Sequence, residues 1–395
     1  MIETLKHIPK PVWILGGVSL FMDMSSELIH DILPIYLTTV LGLSVLTVGI
    51  IEGIAEATAS MLKVVSGYLS DRYRKRKPLA LLGYALAALT KPIFPLAETA
   101  STVIAARFAD RFGKGIRGAP RDAIVADVTP PEWRDAAYGL RQSLDTVGAF
   151  LGPLLAMFFL WLWQNDLRAV LWVATIPALI SVALLGFGLK EPEPVGTPKA
   201  GDRPRLSAIR TLPTAFWSLL VVTALFSMAR LSEAFLVLRA QELQLTLIWI
   251  PLVMIVMSVV YSIVSYPAGV LSKRVGRRGV WMASLVSLAL AEAAMAGLNG
   301  WGGFWLGVGL WGVHMGLSQG ALAAAVAETA PAELRATAFG LFHFVTGIFQ
   351  LAGGALAGWV WVVHGSAAMF GWGAIWSCTA LLWVGFSARS IAVKL

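Results

Sequence analysis

Apolar residues run along this chain in long blocks divided by short polar gaps. Read between glycine, proline and charged breakers, the blocks predict helices over 12–36, 45–69, 79–97, 101–121, 136–162, 167–188, 213–238, 248–272, 279–299, 301–326, 336–363 and 367–388. Each approaches or exceeds the roughly 20 apolar residues that carry a helix across hydrocarbon. The first block is longer than a signal-peptide core, carries acidic residues in its middle and shows no small-residue cleavage pattern, so it reads as a retained helix.

Composition sharpens this picture. The 395 residues are 57% hydrophobic and 14% charged, with a mean hydropathy of +0.73, which excludes an ordinary soluble globule and leaves no room for a separate soluble domain. Cys378 is the only cysteine, so intramolecular disulfides and thiolate metal sites are excluded. The net charge of +8 sorts by loop. Lys6 and Lys10, Arg72 to Lys77, Lys190 to Arg210, Lys273 to Arg278, and Arg389 with Lys394 all fall on one side if the helices alternate. By the positive-inside rule that side is the cytoplasm, both termini lie inside, and the basic pI reflects topology, not nucleic-acid binding.

The longest polar segment, Lys190 to Arg210, is rich in proline and glycine and divides the chain near its middle. The expected organisation is an N-terminal bundle 1–189, a cytoplasmic linker 190–211 and a C-terminal bundle 212–395. The halves repeat: Ala126, Asp127, Pro130, Glu132, Arg134, Ala137, Tyr138, Gly139 and Leu140 match Ala327, Glu328, Pro331, Glu333, Arg335, Ala338, Phe339, Gly340 and Leu341 at an offset of 201 (327 − 126). Six helices per half is an even number, so the halves share one membrane orientation, a plan in which substrate binds between the repeats at mid-depth.

The segment Gly67 to Arg76, with Ser70, Asp71 and Arg72, resembles the signature loop of the major facilitator superfamily. The resemblance implies an all-α membrane protein, twelve transmembrane helices in two pseudo-symmetric six-helix bundles. It also implies a cytoplasmic gate in which Asp71 faces the positive end of a helix dipole while the basic residues find carboxylates or lipid phosphates. Gly67, Asp71, Arg72, Arg76 and Asp122 are assigned to that gate. The C-terminal copy, Gly269 to Arg278, contributes Lys273 and Arg274, and its Lys273 replaces the acid. Arg111 to Ala119 in the fourth helix is similar to the family's second motif, whose arginine is implicated in proton coupling. Gly139, Gly148, Gly152 and Pro153 in the fifth helix match the spacing of the motif associated with exporters and antiporters.

Ionisable side chains at membrane depth are expensive and demand a partner, water or a function. Asp23, Glu27, His30 and Asp31 recur at helical spacing on one face of the first helix. Glu52, Glu56 and Lys63 share a face of the second, Arg107, Asp110, Arg111 and Lys114 stripe the fourth, and Arg141, Gln142 and Asp145 follow in the fifth. One reading makes these structural ion pairs, for instance Asp110 with Arg141 or Glu56 with Arg107. The other makes them the lining of a hydrated cavity, with Asp23, Glu27, Asp110 and Arg111 as proton-coupling candidates. His30, Asp31, Glu52, Glu56, Arg107, Arg141 and Asp145 are cavity candidates. The second half adds Arg230 and Glu233, one turn apart in the seventh helix, then His314, Gln319, His343 and Gln350.

Gly113 to Gly118 matches G-x-G-x-x-G but lies at the end of a membrane helix, so no dinucleotide site is expected, and no Walker A, His-Glu-x-x-His or Gly-x-Ser-x-Gly motif is present. The chain reads as a carrier, not an enzyme, with no cofactor and no resident metal assigned. The expectation is a monomeric, multi-pass protein of the cytoplasmic (inner) membrane. It would work by alternating access and export a small polar or charged solute, a metal ion or a drug-like compound against protons. The competing reading is a proton-coupled uptake symporter for a metal chelate or organic anion, bound by Arg107, Arg111 and Arg230. A receptor or assembly factor that has lost transport is the reading from another class.

Overall fold

The computed structural model describes residues 8–73, 75–130, 133–190, 212–298, 300–318, 325, 326, 329 and 335–386. The helices are α1 (Lys10–Ile35), α2 (Val45–Tyr73), α3 (Arg76–Thr90, then a turn at Ile93–Leu96), α4 (Ala100–Val128), α5 (Arg134–Leu162) and α6 (Leu167–Val173 and Thr175–Ala183). The second half holds α7 (Thr214–Ala229 and Ala234–Glu242), α8 and α9 (the arms of Pro251–Gly297 before and after Gly276), α10 (Trp301–Ser318), α11 (Arg335–His364) and α12 (Ser366–Phe386). Among the described residues, ten of the twelve carry an apolar stretch long enough to cross a membrane. The other two are α4, laden with charge, and α10, rich in glycine and tryptophan over Trp301–Ser318. The expected linker falls at 191–211, outside the described residues.

Local chemistry starts and stops these helices. Thr99 caps α4, accepting a hydrogen bond from the Thr102 amide at 3.3 Å, and Asp166 caps α6 through the Ala169 amide at 3.1 Å. At the other ends, Lys77 Nζ donates to the Gly186 (2.8 Å) and Leu189 (2.5 Å) carbonyls just past α6. Arg278 donates to the Val384 (3.1 Å) and Gly385 (2.5 Å) carbonyls in the last turn of α12. Lys77 and Arg278 are repeat counterparts, 201 positions apart (278 − 77). Each places a cation on the orphan carbonyls at a helix C-terminus, where the dipole is negative.

The chain divides into two compact units. The first holds Met1–Gly42, Thr58–Pro198 and Thr246–Leu252, and the second holds Leu43–Ala57, Lys199–Leu245 and Val253–Leu395. The first stretch of α2 therefore belongs with the second unit and the remainder with the first. In the first unit α1 packs along α5, where Gly148 meets the Leu20 backbone and Gly152 lies so close to α1 that a Cβ there would stand 2.8 Å from the Met24 oxygen. Helices α3 and α4 cross at Gly83 and Gly113 with comparable intimacy, since a Cβ on Gly83 would stand 2.7 Å from the Gly113 oxygen. Such close approaches are how helices associate in lipid. Val12, Leu15, Val18, Met22, Tyr84, Ala87, Ile124 and Leu185 fill the core between them. In the second unit, Gly49 and Gly53 of α2 seat against Gly354 and Leu351 of α11, and Gly312 and Gly316 of α10 receive Val260 and Val264 of α8.

Three expectations need correction. Helix α4 continues to Val128, beyond the expected end at 121, so Asp122 and Asp127 lie on it. The loop expected between the eighth and ninth helices is helical except at Gly276, whose φ of 73° lets the chain turn there without a Cβ clash. Finally, the seventh helix is not continuous. It breaks between Ala229 and Ala234, with Arg230 extended (φ −75°, ψ 92°) and Ser232 Oγ accepting from the Ala234 amide at 3.3 Å to start the second arm.

Candidate functional site

The charges of α4 recur at three- and four-residue intervals, which lines them along one side of the helix. In the first unit this stripe organises two ionic clusters. In one, Lys91 of α3, 1% exposed, donates to Asp110 Oδ1 at 2.8 Å and to Ser26 Oγ of α1 at 3.2 Å. Arg111 Nε lies 4.0 Å from the other oxygen of Asp110, and Arg107 is buried on the same stripe. A lone charge so deeply buried would cost several kcal/mol, so each carboxylate here must sit against a cation.

The second cluster joins α1, α4 and α5. Arg121 donates to Ser19 Oγ at 2.9 Å and to Asp122 Oδ1 at 3.0 Å, and lies 3.8 Å from Asp145. Arg141 reaches Asp145 at 3.0 Å, Asp122 at 3.5 Å and Gln142 Oε1 at 2.7 Å. Arg117 stacks over the Tyr84 ring at 4.8 Å and lies 4.0 Å from Asp23, whose side chain remains 26% exposed. Asp23 is thus an accessible acid beside a buried arginine. One turn further along α1, one ligand atom from each of Glu27, His30 and Asp31 lies within 4.8 Å of the others, with His30 Nδ1 3.8 Å from Glu27 Oε2. That donor set of two carboxylates and an imidazole suits a proton or a divalent cation.

The second unit is sparser. Arg230 and Glu233 pair at 3.1 Å across the break in α7, and both are partly exposed. His314 is fully buried, stacked on Phe226 with ring centroids 5.7 Å apart, and its Nδ1 lies 2.8 Å from Ser284 Oγ. His343 packs against Phe339 and Phe342, and the buried Oε1 of Gln350 has no hydrogen-bond partner among the described residues. Glu52 is buried on the α2 stretch of this unit, with Glu56 a turn beyond it.

Of the gate residues, Arg76 pairs with Asp127 at 3.0 Å, Gly67 lies against Ala119 of α4, and Asp122 is the acid shared by Arg121 and Arg141. Gln319 lies outside the described residues, as do the surroundings of Asp71, Arg72, Gly139, Lys273 and Arg274. Pro153 is buried in α5 one position after Gly152.

The expected pairing of Asp110 with Arg141 is replaced: Asp110 is held by Lys91 and Arg111, and Arg141 by Asp122 and Asp145. Sequence reasoning missed Lys91 and Arg121 in the first unit and Glu292 in the second. Each was detectable as a charge inside an otherwise apolar or already striped helix.

Residues 15–354 and 234–393 match the family model described as Major Facilitator Superfamily. The chain belongs to the major facilitator superfamily. An uncharacterized MFS-type transporter of Methanocaldococcus jannaschii is 31% identical over 367 residues, covering 91% of each chain. The multidrug resistance protein MdtL of Escherichia coli is 30% identical over 174 residues, covering 44% of this chain and 42% of that protein. Among solved structures, the nucleoside transporter NupG (D323A mutant) superposes with a TM-score of 0.79 at 15% identity, covering 96% of this transporter and 99% of that chain, a likeness of fold. The protein is therefore a multi-pass membrane transporter of twelve helices, and not an enzyme.

Proposed function

We propose that this transporter exports a small polar or charged solute, a class that includes metal cations, in exchange for protons, by alternating access of the halves 1–189 and 212–395. The cytoplasmic membrane, with both termini inside, is its proposed location, and the monomer its working form. The observation that carries the reading is the ladder of acids along α1. Asp23 stands beside Arg117, and Glu27, His30 and Asp31 follow within two turns with ligand atoms 4.8 Å or less apart. A carboxylate beside an arginine changes its proton affinity when the distance between them changes, so a helix movement can load or release a proton there. The same acids attract a cation when unprotonated, which makes proton and substrate compete for one site. The partial likeness to MdtL, a multidrug resistance protein, supports the outward direction. Against the organic-anion reading, Arg107 and Arg111 are 1% and 3% exposed and lie within the α4 stripe.

The experiment is reconstitution in liposomes holding a pH-sensitive dye and a proton gradient, challenged with metals, chelates, organic ions and drugs. The expected result is proton movement evoked by one class, abolished in Asp23→Asn and Glu27→Gln. Full proton-coupled transport by both variants would remove these acids from the mechanism. Solute accumulation in the direction of proton flow would replace antiport by symport.

A further inference from the structure

The repeat makes the two units comparable position by position, and one comparison points to a site of its own. Lys91 of α3 corresponds to Glu292 of α9, 201 positions on (292 − 91), and Asp110 corresponds at the same offset to Trp311. Where the first unit buries a lysine against an aspartate, the second buries a carboxylic acid with no base at the matching place. Glu292 is 0% exposed. Its Oε2 lies 2.7 Å from the hydroxyl of Ser377 on α12, and its Oε1 has no hydrogen-bond partner among the described residues. Oε1 instead fills the space where a Cβ on Gly373 would stand, and Leu231 Cδ1, from the break in α7, lies 3.1 Å from that same place.

Among the described residues, no charged group on the helices packed around α9 is shown paired with Glu292. Arg230 and Glu233 of α7 pair with each other, and Arg239 bonds Glu242 and Ser366. His314 of α10 is tied through Nδ1 to Ser284, its Nε2 has no hydrogen-bond partner among the described residues, and Cys378 of α12 is exposed. An ionised carboxylate buried with one hydroxyl and no cation carries a penalty of several kcal/mol, whereas the neutral acid leaves only one uncharged polar atom without a partner, a smaller cost. The segment 230–233, which carries Leu231, is non-helical chain within a membrane span, and such chain persists only where it is buried in protein or lines a wet cavity.

We propose that Glu292 is a proton-binding site of the second unit, carrying its proton while Leu231 covers it and giving that proton to water when the 230–233 segment moves aside. The O–H bond of the acid breaks, the proton leaves on the entering water, and the carboxylate remains hydrated until the segment closes over a newly bound proton. The site deepens the proton-coupled reading by adding a second titrating position, in the half of the chain that holds the broken helix.

Two substrate-free measurements on the purified full-length protein test it. Infrared spectra at neutral pH should contain the carbonyl-stretch band of a neutral carboxylic acid. The band should vanish in Glu292→Gln, persist at a shifted frequency in Ser377→Ala, and disappear as the pH is raised. In a Cys378→Ser background, a membrane-impermeant maleimide should label Ser232→Cys faster as the band disappears. Thiolate content also rises with pH, so the readout is the labelling rate divided by the rate in the same protein carrying Glu292→Gln. That ratio should climb several-fold with pH. A band unaffected by Glu292→Gln, or a ratio that stays at one, overturns the proposal. Proteoliposome flux separates it from the broader reading. Gradient-driven proton movement retained in full by Glu292→Gln overturns the role of this site and leaves antiport standing, whereas wild-type flux indifferent to the gradient removes antiport while the band still decides whether Glu292 holds a proton.

Discussion

Lys91 and Asp110 offer a sharp energetic test, because their surroundings are unequal. Among the described residues Lys91 has one anion, Asp110 at 2.8 Å, and otherwise the Ser26 hydroxyl. Asp110 keeps Arg111 at 4.0 Å when Lys91 is gone. At an effective dielectric of about 20, the 2.8 Å contact is worth about 6 kcal/mol of attraction and the 4.0 Å contact about 4 kcal/mol, before desolvation is charged against them. Breaking a buried pair by deleting one member costs about 3–5 kcal/mol. Lys91→Met should therefore fall near the lower end of that range, since the remaining carboxylate still has a cation. Asp110→Asn should fall near the upper end, since it leaves the buried Lys91 cation facing no carboxylate among the described residues. The double variant should cost much less than the two together, because no lysine or aspartate charge is left facing an empty place. Unfolding free energies can be read from tryptophan fluorescence during denaturation by sodium dodecyl sulfate in mixed micelles, closing the double-mutant cycle. The opposite order of the single variants, or additivity within about 0.5 kcal/mol, would refute the reasoning.

Two further outcomes follow from the packing. Gly152→Val adds bulk where even a Cβ would lie 2.8 Å from the Met24 oxygen, so it should drive α1 from α5; a cysteine pair spanning the two helices should lose its cross-linking yield, and unchanged yield would show that the close approach is dispensable. Lys77→Ala and Arg278→Ala each remove a cationic cap from a helix end, and hydrogen exchange should accelerate in the last turn of the affected helix alone by the equivalent of about 1.5–3 kcal/mol, an effect absent if the bonds contribute nothing.

Most of the fold could be read from apolar blocks, because lipid forces every span to hide its backbone in a helix and to be long enough to cross. The misreadings have local causes. Arg230, Ser232 and Glu233 stand between two long apolar runs, and hydropathy averaged over a whole span conceals the break in α7; the signal was Ser232 followed by Glu233, an internal helix-start pair. Lys91 stands near the outer end of an apolar helix, where a lysine reads as one that reaches back to the interface, and Glu292 is a single acid among alanines with no companion at helical spacing. The acids of α1 and the stripe on α4 were visible because their spacing declares a shared face. Partner choice was not, since Asp110 and Arg141 lie on the expected helices yet bond elsewhere. Spacing within a helix fixes direction, while pairing depends on how neighbouring helices rotate against one another.

The crossing of α3 with α4 also constrains how the two halves can have diverged. Gly83 and Gly113 touch there, and the positions 201 further on (284 − 83 and 314 − 113) are Ser284 and His314, which hydrogen-bond across the crossing of α9 with α10. A histidine introduced at 113 would strike the backbone at Gly83, while a glycine introduced at 314 would leave Ser284 facing a void. Neither version can drift into the other by single tolerated steps. Among descendants of one duplicated ancestor, positions 83 and 113, and likewise 284 and 314, should therefore change in company, and a chain built from two copies of either half would inherit one solution twice and lose the other.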